Sequence, residues 1–137
     1  MFQRIVVAVD GSEASARAVD AAIDLVAGGG QEVRVVHFLE RDVTRFGAVP
    51  LEEEGEGQRL VEEAAARIRQ AGVAVEGEVR TITHGNAAPE ILSSAELFQA
   101  DVIVMGSRGL GGFGALVLGS VAYKVIHHAT VPVLVAR

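Results

Sequence analysis

Short apolar segments alternate along this chain with segments in which apolar residues recur every three or four positions. The apolar segments predict strands, and the helical spacing predicts helices that pack one face against a sheet. Strands are predicted at residues 4–9, 32–38, 73–82, 102–105 and 131–136, and helices begin near residues 12, 57, 86 and 120. Residues 39–54 show neither period, and we expect a surface loop there.

The character of the strands predicts their positions in the sheet. The first and fourth strands are apolar almost throughout, which is typical of central strands buried on both faces. The third strand alternates apolar with charged residues and the fifth contains Pro132, and both properties favour an edge. Alternating strands and helices give right-handed crossovers and a parallel sheet. We therefore predict one α/β domain over residues 1–137, a doubly wound, flavodoxin-like fold whose five parallel strands have the order 3-2-1-4-5, with helices on both faces.

That order places a topological switch point between the first and fourth strands. Ligands of open α/β sheets bind at such a point, beyond the carboxyl ends of the strands. Asp10 and Gly106 follow the two strands, and five glycines fall within residues 106–114 before Gly119 and Ser120 begin the last helix. Glycine lets backbone N–H groups approach an oxyanion, and a helix start adds unpaired N–H donors. The pattern predicts a phosphate-binding loop, in which Arg108 either contacts phosphate or is solvated.

Composition and charge narrow the classes of function. Half of the residues are hydrophobic, which predicts a packed core, and the chain has no cysteine for disulfides or thiolate metal sites. The net charge is −6, and this disfavours general binding of nucleic acid. The apolar runs are short for a membrane span and the first residues show no signal-peptide pattern. We expect a cytoplasmic protein that engages neither membranes nor nucleic acid.

The glycine spacing resembles a known signature. Gly106 and Gly109, then nine residues, then Gly119 and Ser120 match the G-x2-G-x9-G-[S/T] motif of ATP-binding universal stress proteins. Further segments similar to that family are VAVDGS at residues 7–12, VHF at 36–38, HG at 84–85 and VPVLV at 131–135. The resemblance covers nearly the full length of the chain.

The resemblance implies an ATP-binding homodimer that pairs through its last strand. Such a protein acts as a nucleotide-responsive stress or signalling module, and it binds ATP with or without Mg²⁺. It implies that Asp10 holds the ribose or a metal ion. The remaining implied contacts are Ala8, Val9 and Phe38 at the adenine, Met105 and Gly106 along the nucleoside, and Gly109, Gly119, Ser120 and Val121 around the phosphates.

Two other motifs in the glycine loop do not fit their usual contexts. Residues 109–114 spell G-x-G-x-x-G. A dinucleotide site requires an acidic residue after this motif, but no acidic residue follows Asp101. Gly114 and Gly119 have P-loop spacing, but no P-loop lysine follows them.

Catalysis has little support in the sequence. The four histidines have no evident acid or nucleophile beside them, and Asp10 is the one candidate base. We expect no enzyme beyond a weak ATPase and assign no catalytic or metal-ligating residue. Two alternatives remain open: a slow ATPase or nucleotide hydrolase, and a nucleotide-free structural dimer if the Phe38 ring fills the adenine slot.

Overall fold

A parallel sheet with helices on both faces organises the chain. The computed structural model describes residues 1–44, 47–50, 54–109 and 118–137. The strands are β1 (Arg4–Ala8), β2 (Glu32–Thr44), β3 (Gly47–Pro50), β4 (Ala74–Thr83), β5 (Val102–Gly106) and β6 (Val133–Ala136). The helices are α1 (Glu13–Leu25), α2 (Glu56–Arg69), α3 (Ala87–Phe98) and α4 (Ser120–His128).

The predicted strand order is confirmed. The parallel strands lie in the order β4-β2-β1-β5-β6, which is 3-2-1-4-5 when the five predicted strands are numbered along the chain. The alternating strand β4 and the proline-preceded strand β6 are the two edges of this parallel set. β1 lies between β2 and β5, so the switch point falls where the sequence places it.

Side chains of the central strands alternate between two cores. Ile5 and Val7 of β1 pack with α1 and α2 on one face, whereas Val6 packs with α3 and α4 on the other. All three side chains are fully buried. Burial of successive residues on opposite faces explains the unbroken apolar pattern of β1, because a strand covered on both sides has no polar positions.

The prediction of an irregular loop over residues 39–54 is wrong for much of its described part. β2 continues to Thr44, and β3 pairs antiparallel with its end, from Arg41 opposite Pro50 to Thr44 opposite Gly47. Hydrogen bonding along the full length of β4, which pairs with β2 as far as Arg41 and Thr83, carries β2 beyond the end of β1. The extension contains the charged residues Glu40, Arg41 and Asp42, which hide the apolar pattern of a strand.

The extension has a defined position relative to the switch point. The carbonyl of Arg41 accepts a hydrogen bond from the N–H of His84, which follows β4, so this residue's backbone faces β4. β3 must therefore pair along the other edge of β2, the edge used by β1 further back. The short strand β3 consequently lies beyond the carboxyl end of β1.

Three helices begin at their predicted residues. Ser12 caps α1 with its side chain, and α4 begins at Ser120 after Gly119. Asn86 is the N-cap residue of α3, as predicted, but its side chain makes no capping hydrogen bond. In the described part of the chain, no helix has the length and apolar character needed to cross a membrane.

Candidate functional site

The turn from β1 into α1 holds the carboxylate of Asp10 in a fixed position. Asp10 Oδ1 accepts a hydrogen bond from the N–H of Ser12 at 2.9 Å, and Ser12 Oγ accepts one from the N–H of Ser15 at 3.1 Å. Gly11 between them has a φ of +84°, a conformation that favours glycine. One carboxylate oxygen thus stabilises the turn, and the other, Oδ2, lies at the carboxyl edge of the sheet.

The glycines of the signature are needed for close contacts. A Cβ at residue 109 would lie 3.0 Å from Asp10 Oδ2. A Cβ at residue 119 would lie 3.2 Å from the carbonyl oxygen of Ser107 and 3.2 Å from the α-carbon of Arg108. The two ends of the glycine loop therefore meet each other and the carboxylate. Residues 110–117, which include the three remaining glycines of the loop and both rejected motifs in part, lie outside the described residues.

Hydrogen bonds to main-chain carbonyls join the segments at the carboxyl ends of three strands around this point. The N–H of Gly119 donates to the carbonyl of Ser107 at 2.7 Å, and the N–H of Ser107 donates to the carbonyl of Ala136 at 2.6 Å. Ser12 Oγ donates to the carbonyl of Arg108 at 3.4 Å. The start of α4 is thereby fixed beside the turn that holds Asp10.

A cleft of about 350 Å³ opens between the first turns of α1 and the beginning of the glycine loop. It is lined by Gly11, Ser12, Glu13, Ala14, Arg17, Arg108 and Gly109. Arg108 is half-buried here, so the structure places it beside the glycines with which the sequence grouped it. Ser120, at the start of α4, is exposed.

Gly106 serves a packing role in addition to its place at the switch point. A Cβ at this residue would lie 2.8 Å from both the carbonyl carbon and the Cβ of Ala14 in α1. The backbone of β5 and the first turn of α1 are therefore in direct contact. This contact sets the position of α1, and with it the position of Asp10, relative to the glycine loop.

The five apolar side chains predicted to contact the nucleotide divide between the two faces of the sheet. Ala8, Val9 and Phe38 are predicted at the adenine, Met105 along the nucleoside and Val121 at the phosphates. Ala8, Phe38, Met105 and Val121 share the core under α3 and α4, whereas the Val9 side chain packs in the core under α1 and α2. The Phe38 side chain is 9% exposed and Met105 is buried. The structure therefore brings four of these five side chains together and leaves only the main chain of Val9 beside them.

Among the described residues, no strand pairs with the β1-facing edge of β2 between the end of β1 and β3. The register of β1 and β2 ends at Ala8 and Val36, where the N–H of Val9 donates to the carbonyl of Val36 at 2.9 Å. Main-chain groups of a strand face the same edge at every second residue, so the N–H and C=O of Phe38 face this edge as well. β3 begins to pair only at Arg41. A donor and an acceptor of Phe38 consequently face the crevice beyond β1.

Two contributors to the site were not assigned by the sequence. His37 is 4% exposed, and its Nδ1 lies 2.7 Å from the carbonyl oxygen of Val9. Ser15 Oγ accepts from the N–H of Asp10 at 3.3 Å and donates to the carbonyl of Ser12 at 3.1 Å. The spacing of two serines at a helix start is a sequence signal for the role of Ser15. The contact of His37 with Val9 is found only when the fold is known.

The donor set suits a nucleotide better than a resident metal ion. Within the described ranges, no three His, Asp or Glu side chains are grouped so that they hold a metal. Asp10 Oδ2 offers one carboxylate oxygen, which is the usual protein contribution to Mg²⁺ bound through substrate phosphates.

Comparison with known proteins agrees with this architecture. The model of the universal stress protein family matches residues 1–137. A universal stress protein of Thermus aquaticus is 39% identical over 140 residues, and universal stress protein YxiE of Bacillus subtilis is 32% identical over 151 residues; each alignment covers 100% of both chains.

Two solved structures of similar fold carry nucleotides. A universal stress protein in complex with cAMP has a TM-score of 0.69 and 26% identity, with 99% of this chain and 97% of that chain covered. The universal stress protein from Archaeoglobus fulgidus in complex with dAMP has a TM-score of 0.73 and 25% identity, with 98% of each chain covered. From the family model and the curated relatives together, the chain belongs to the universal stress protein family.

Proposed function

We propose that this chain binds an adenine nucleotide, ATP together with Mg²⁺, at the carboxyl edge of the sheet between β1 and β5. The observation that carries the proposal is the meeting of Asp10, Gly109 and Gly119 at the start of α4. The nucleotide state would then govern the interactions of a dimeric stress or signalling module.

The phosphates would lie against Gly109, Gly119 and the first turn of α4. The missing side chains let a phosphate approach the backbone closely. The N–H of Gly119 is held by the carbonyl of Ser107, so the donors come from the first turn of the helix, which adds unpaired N–H groups and the positive end of the helix dipole. Ser120 adds a hydroxyl and an N–H at the same place. Val121 follows in that first turn, and Arg108 at the rim of the cleft supplies positive charge.

The base would lie against the open edge of β2. The Watson–Crick edge of adenine offers an acceptor at N1 and a donor at N6, which complement the N–H and C=O of Phe38. Guanine offers the opposite pair at these atoms, so the same backbone groups disfavour it. Phe38 and Met105 give the ring an apolar surface, with Ala8 at its margin. The relatives solved with cAMP and dAMP support an adenine nucleotide as the ligand class.

The ribose and the metal ion would lie at Asp10. Its Oδ1 is engaged by the N–H of Ser12, and its Oδ2 faces Gly109. Bound Mg²⁺ would neutralise phosphate charge, and one protein carboxylate is enough to hold it when phosphates complete the ligand set.

We further propose that the module is not an efficient catalyst. Hydrolysis needs a base within hydrogen-bond reach of an attacking water. Asp10 is the candidate, but one of its oxygens is committed to the turn, and the proposed ligands occupy the other. A slow ATPase remains the competing hypothesis, and turnover measurements separate the two.

The homodimer would form along β6. This strand pairs only with β5 among the described residues, and its four residues are all apolar. An apolar edge strand without charges is a template for pairing with another chain. The carbonyls of Pro132 and Ala136 accept from the N–H groups of Ile103 in β5 and Ser107 after it. The main-chain groups of Val133 and Val135 therefore face outward.

The nucleotide carried through purification tests the proposal. Denaturing the protein and separating the supernatant by anion exchange should release ATP, ADP or AMP. Protein freed of nucleotide should show a raised melting temperature with millimolar ATP and Mg²⁺. Finding neither a carried nucleotide nor a thermal shift would overturn the proposal.

A further inference from the structure

We propose that His37 is a positioning residue that keeps the N–H of Phe38 available to the adenine ring. The inference rests on the proposed nucleotide site and concerns a residue that itself lies outside the expected ligand contacts. It is carried by the way in which the pairing of β1 and β2 ends.

The regular hydrogen-bond pattern of two parallel strands defines which hydrogen bond should come next after Val9 and Val36. With the N–H of Val9 bonded to the carbonyl of Val36 at 2.9 Å, the regular pattern would continue from the N–H of Phe38 to the carbonyl of Val9. The observed register instead stops at Ala8 and Val36.

The imidazole of His37 replaces the N–H of Phe38 as the hydrogen-bond partner of the Val9 carbonyl. Its Nδ1 lies 2.7 Å from the carbonyl oxygen of Val9. Since a carbonyl only accepts, Nδ1 carries the proton and donates. The side chain is 4% exposed, so water does not readily replace it as the donor.

One group of the proposed site depends on this exchange of hydrogen-bond partners. The N–H of Phe38 loses its regular partner and remains at the edge that faces the crevice. The N–H of Asp10 donates to Ser15 Oγ at 3.3 Å, so the turn that presents the carboxylate has a support of its own. The buried imidazole thus sets the base-recognising edge.

Replacing the imidazole with a side chain that cannot donate tests the role. In His37→Leu the carbonyl of Val9 should take up the N–H of Phe38, which closes the edge. The affinity for ATP should then fall by about tenfold, the loss expected for one hydrogen bond of ordinary net strength. Binding of inorganic tripolyphosphate, which has no base, should be nearly unchanged in the same variant.

The matched control is His37→Asn. Nδ2 of asparagine is bonded to Cγ, as Nδ1 of histidine is, so it can donate to the same carbonyl. ATP affinity in this variant should return towards the wild-type value. Equal losses in the Leu and Asn variants, or an equal loss for tripolyphosphate, would show a merely structural role and overturn the proposal.

Amide exchange in the nucleotide-free protein gives a readout that does not depend on ligand. The Phe38 amide should exchange more slowly in His37→Leu than in wild type, because there it gains a partner inside the sheet. Equal exchange in the two proteins would overturn the proposal. Slower exchange in a chain that binds no nucleotide would uphold the positioning role and reject the function proposed above.

The wild-type protein alone supplies a second check if His37→Leu does not fold. The ¹⁵N spectrum of the His37 ring should show a proton on Nδ1. A ring protonated only on Nε2 would contradict the hydrogen bond to Val9 and with it the inference.

Discussion

The α-carbon of Gly109 lies so close to the carboxylate of Asp10 that a Cβ at residue 109 would be 3.0 Å from Asp10 Oδ2. The first residue belongs to the loop after β5 and the second to the turn after β1, so the contact spans the switch point of the sheet. It joins the group that would hold ribose or Mg²⁺ to the backbone that would hold phosphate. A side chain at residue 109 therefore changes both.

Substituting Gly109→Val should abolish nucleotide binding while the domain remains folded. The branched side chain would displace the Asp10 carboxylate and fill the space that the phosphates need. Calorimetric titration with ATP and Mg²⁺ measures the loss, and circular dichroism checks the fold. Gly28→Val is a matched control, because a Cβ at Gly28 would have no neighbour within 4 Å. Unchanged affinity in the Gly109 variant would remove the loop from the site.

Substituting Asp10→Asn should weaken binding of ATP chiefly when Mg²⁺ is present. Asparagine keeps an oxygen for the N–H of Ser12, so the turn survives, but the charge that would hold the metal is lost. Titrations with Mg²⁺ and with EDTA should therefore differ in wild type and converge in the variant. A variant that retained the full effect of Mg²⁺ would exclude Asp10 as its ligand.

ATP turnover separates a binding module from an enzyme. We expect wild type to stay below about 1 s⁻¹, the lower end of ordinary enzymatic rates. A faster reaction in wild type that disappears in Asp10→Asn would support the alternative of an ATPase. Phosphate release under excess ATP measures the rate in both proteins.

Substituting Ser12→Ala should lower the free energy of unfolding by about 1 kcal/mol, the usual cost of losing an N-cap side chain. The Ser12 hydroxyl both caps α1 through Ser15 and donates to the carbonyl of Arg108, so the glycine loop should loosen as well. Urea denaturation measures the change. Ser12→Thr retains the hydroxyl and should stay near wild type; an equal loss in both variants would show that the cap is not the cause.

Substituting Val135→Pro should convert the proposed dimer into a monomer. The N–H of Val135 faces away from β5, so proline removes a donor from the free edge and leaves the pairing of β5 and β6 in place. Sedimentation at micromolar concentration gives the assembly state, and Val135→Ala, which keeps the N–H, should remain dimeric. A monomeric wild type would remove strand pairing from the account.

The strand order and the position of the switch point could be predicted because they depend on composition along single strands. An unbroken apolar strand such as β1 must be covered on both faces, and an alternating strand such as β4 must lie at an edge. The start of α4 at Ser120 was predictable for a similar local reason, since a glycine loop is followed directly by a helical period.

Features that depend on the path of the chain in space were less predictable. The part of β2 that pairs with β3 contains the charged residues Arg41 and Asp42, and it forms a strand because β4 pairs with β2 past the end of β1. The hydrogen bond from His37 to Val9 joins two residues that become neighbours only when the sheet forms.

The opposite orientations of Ala8 and Val9 were predictable from strand geometry. These residues are consecutive at the end of the first strand, and consecutive side chains of a strand point to opposite faces. Only Ala8 shares the face of Phe38 and Met105. The prediction that both residues contact adenine therefore requires the main chain of Val9 rather than its side chain.

Titration of the nucleotide-stripped protein with ATP and Mg²⁺ in a calorimeter shows whether the switch point is a nucleotide site. We expect saturable binding of one nucleotide per chain and weaker binding of GTP under the same conditions. No heat of binding up to millimolar ATP, from protein that is folded and free of nucleotide, would contradict this expectation.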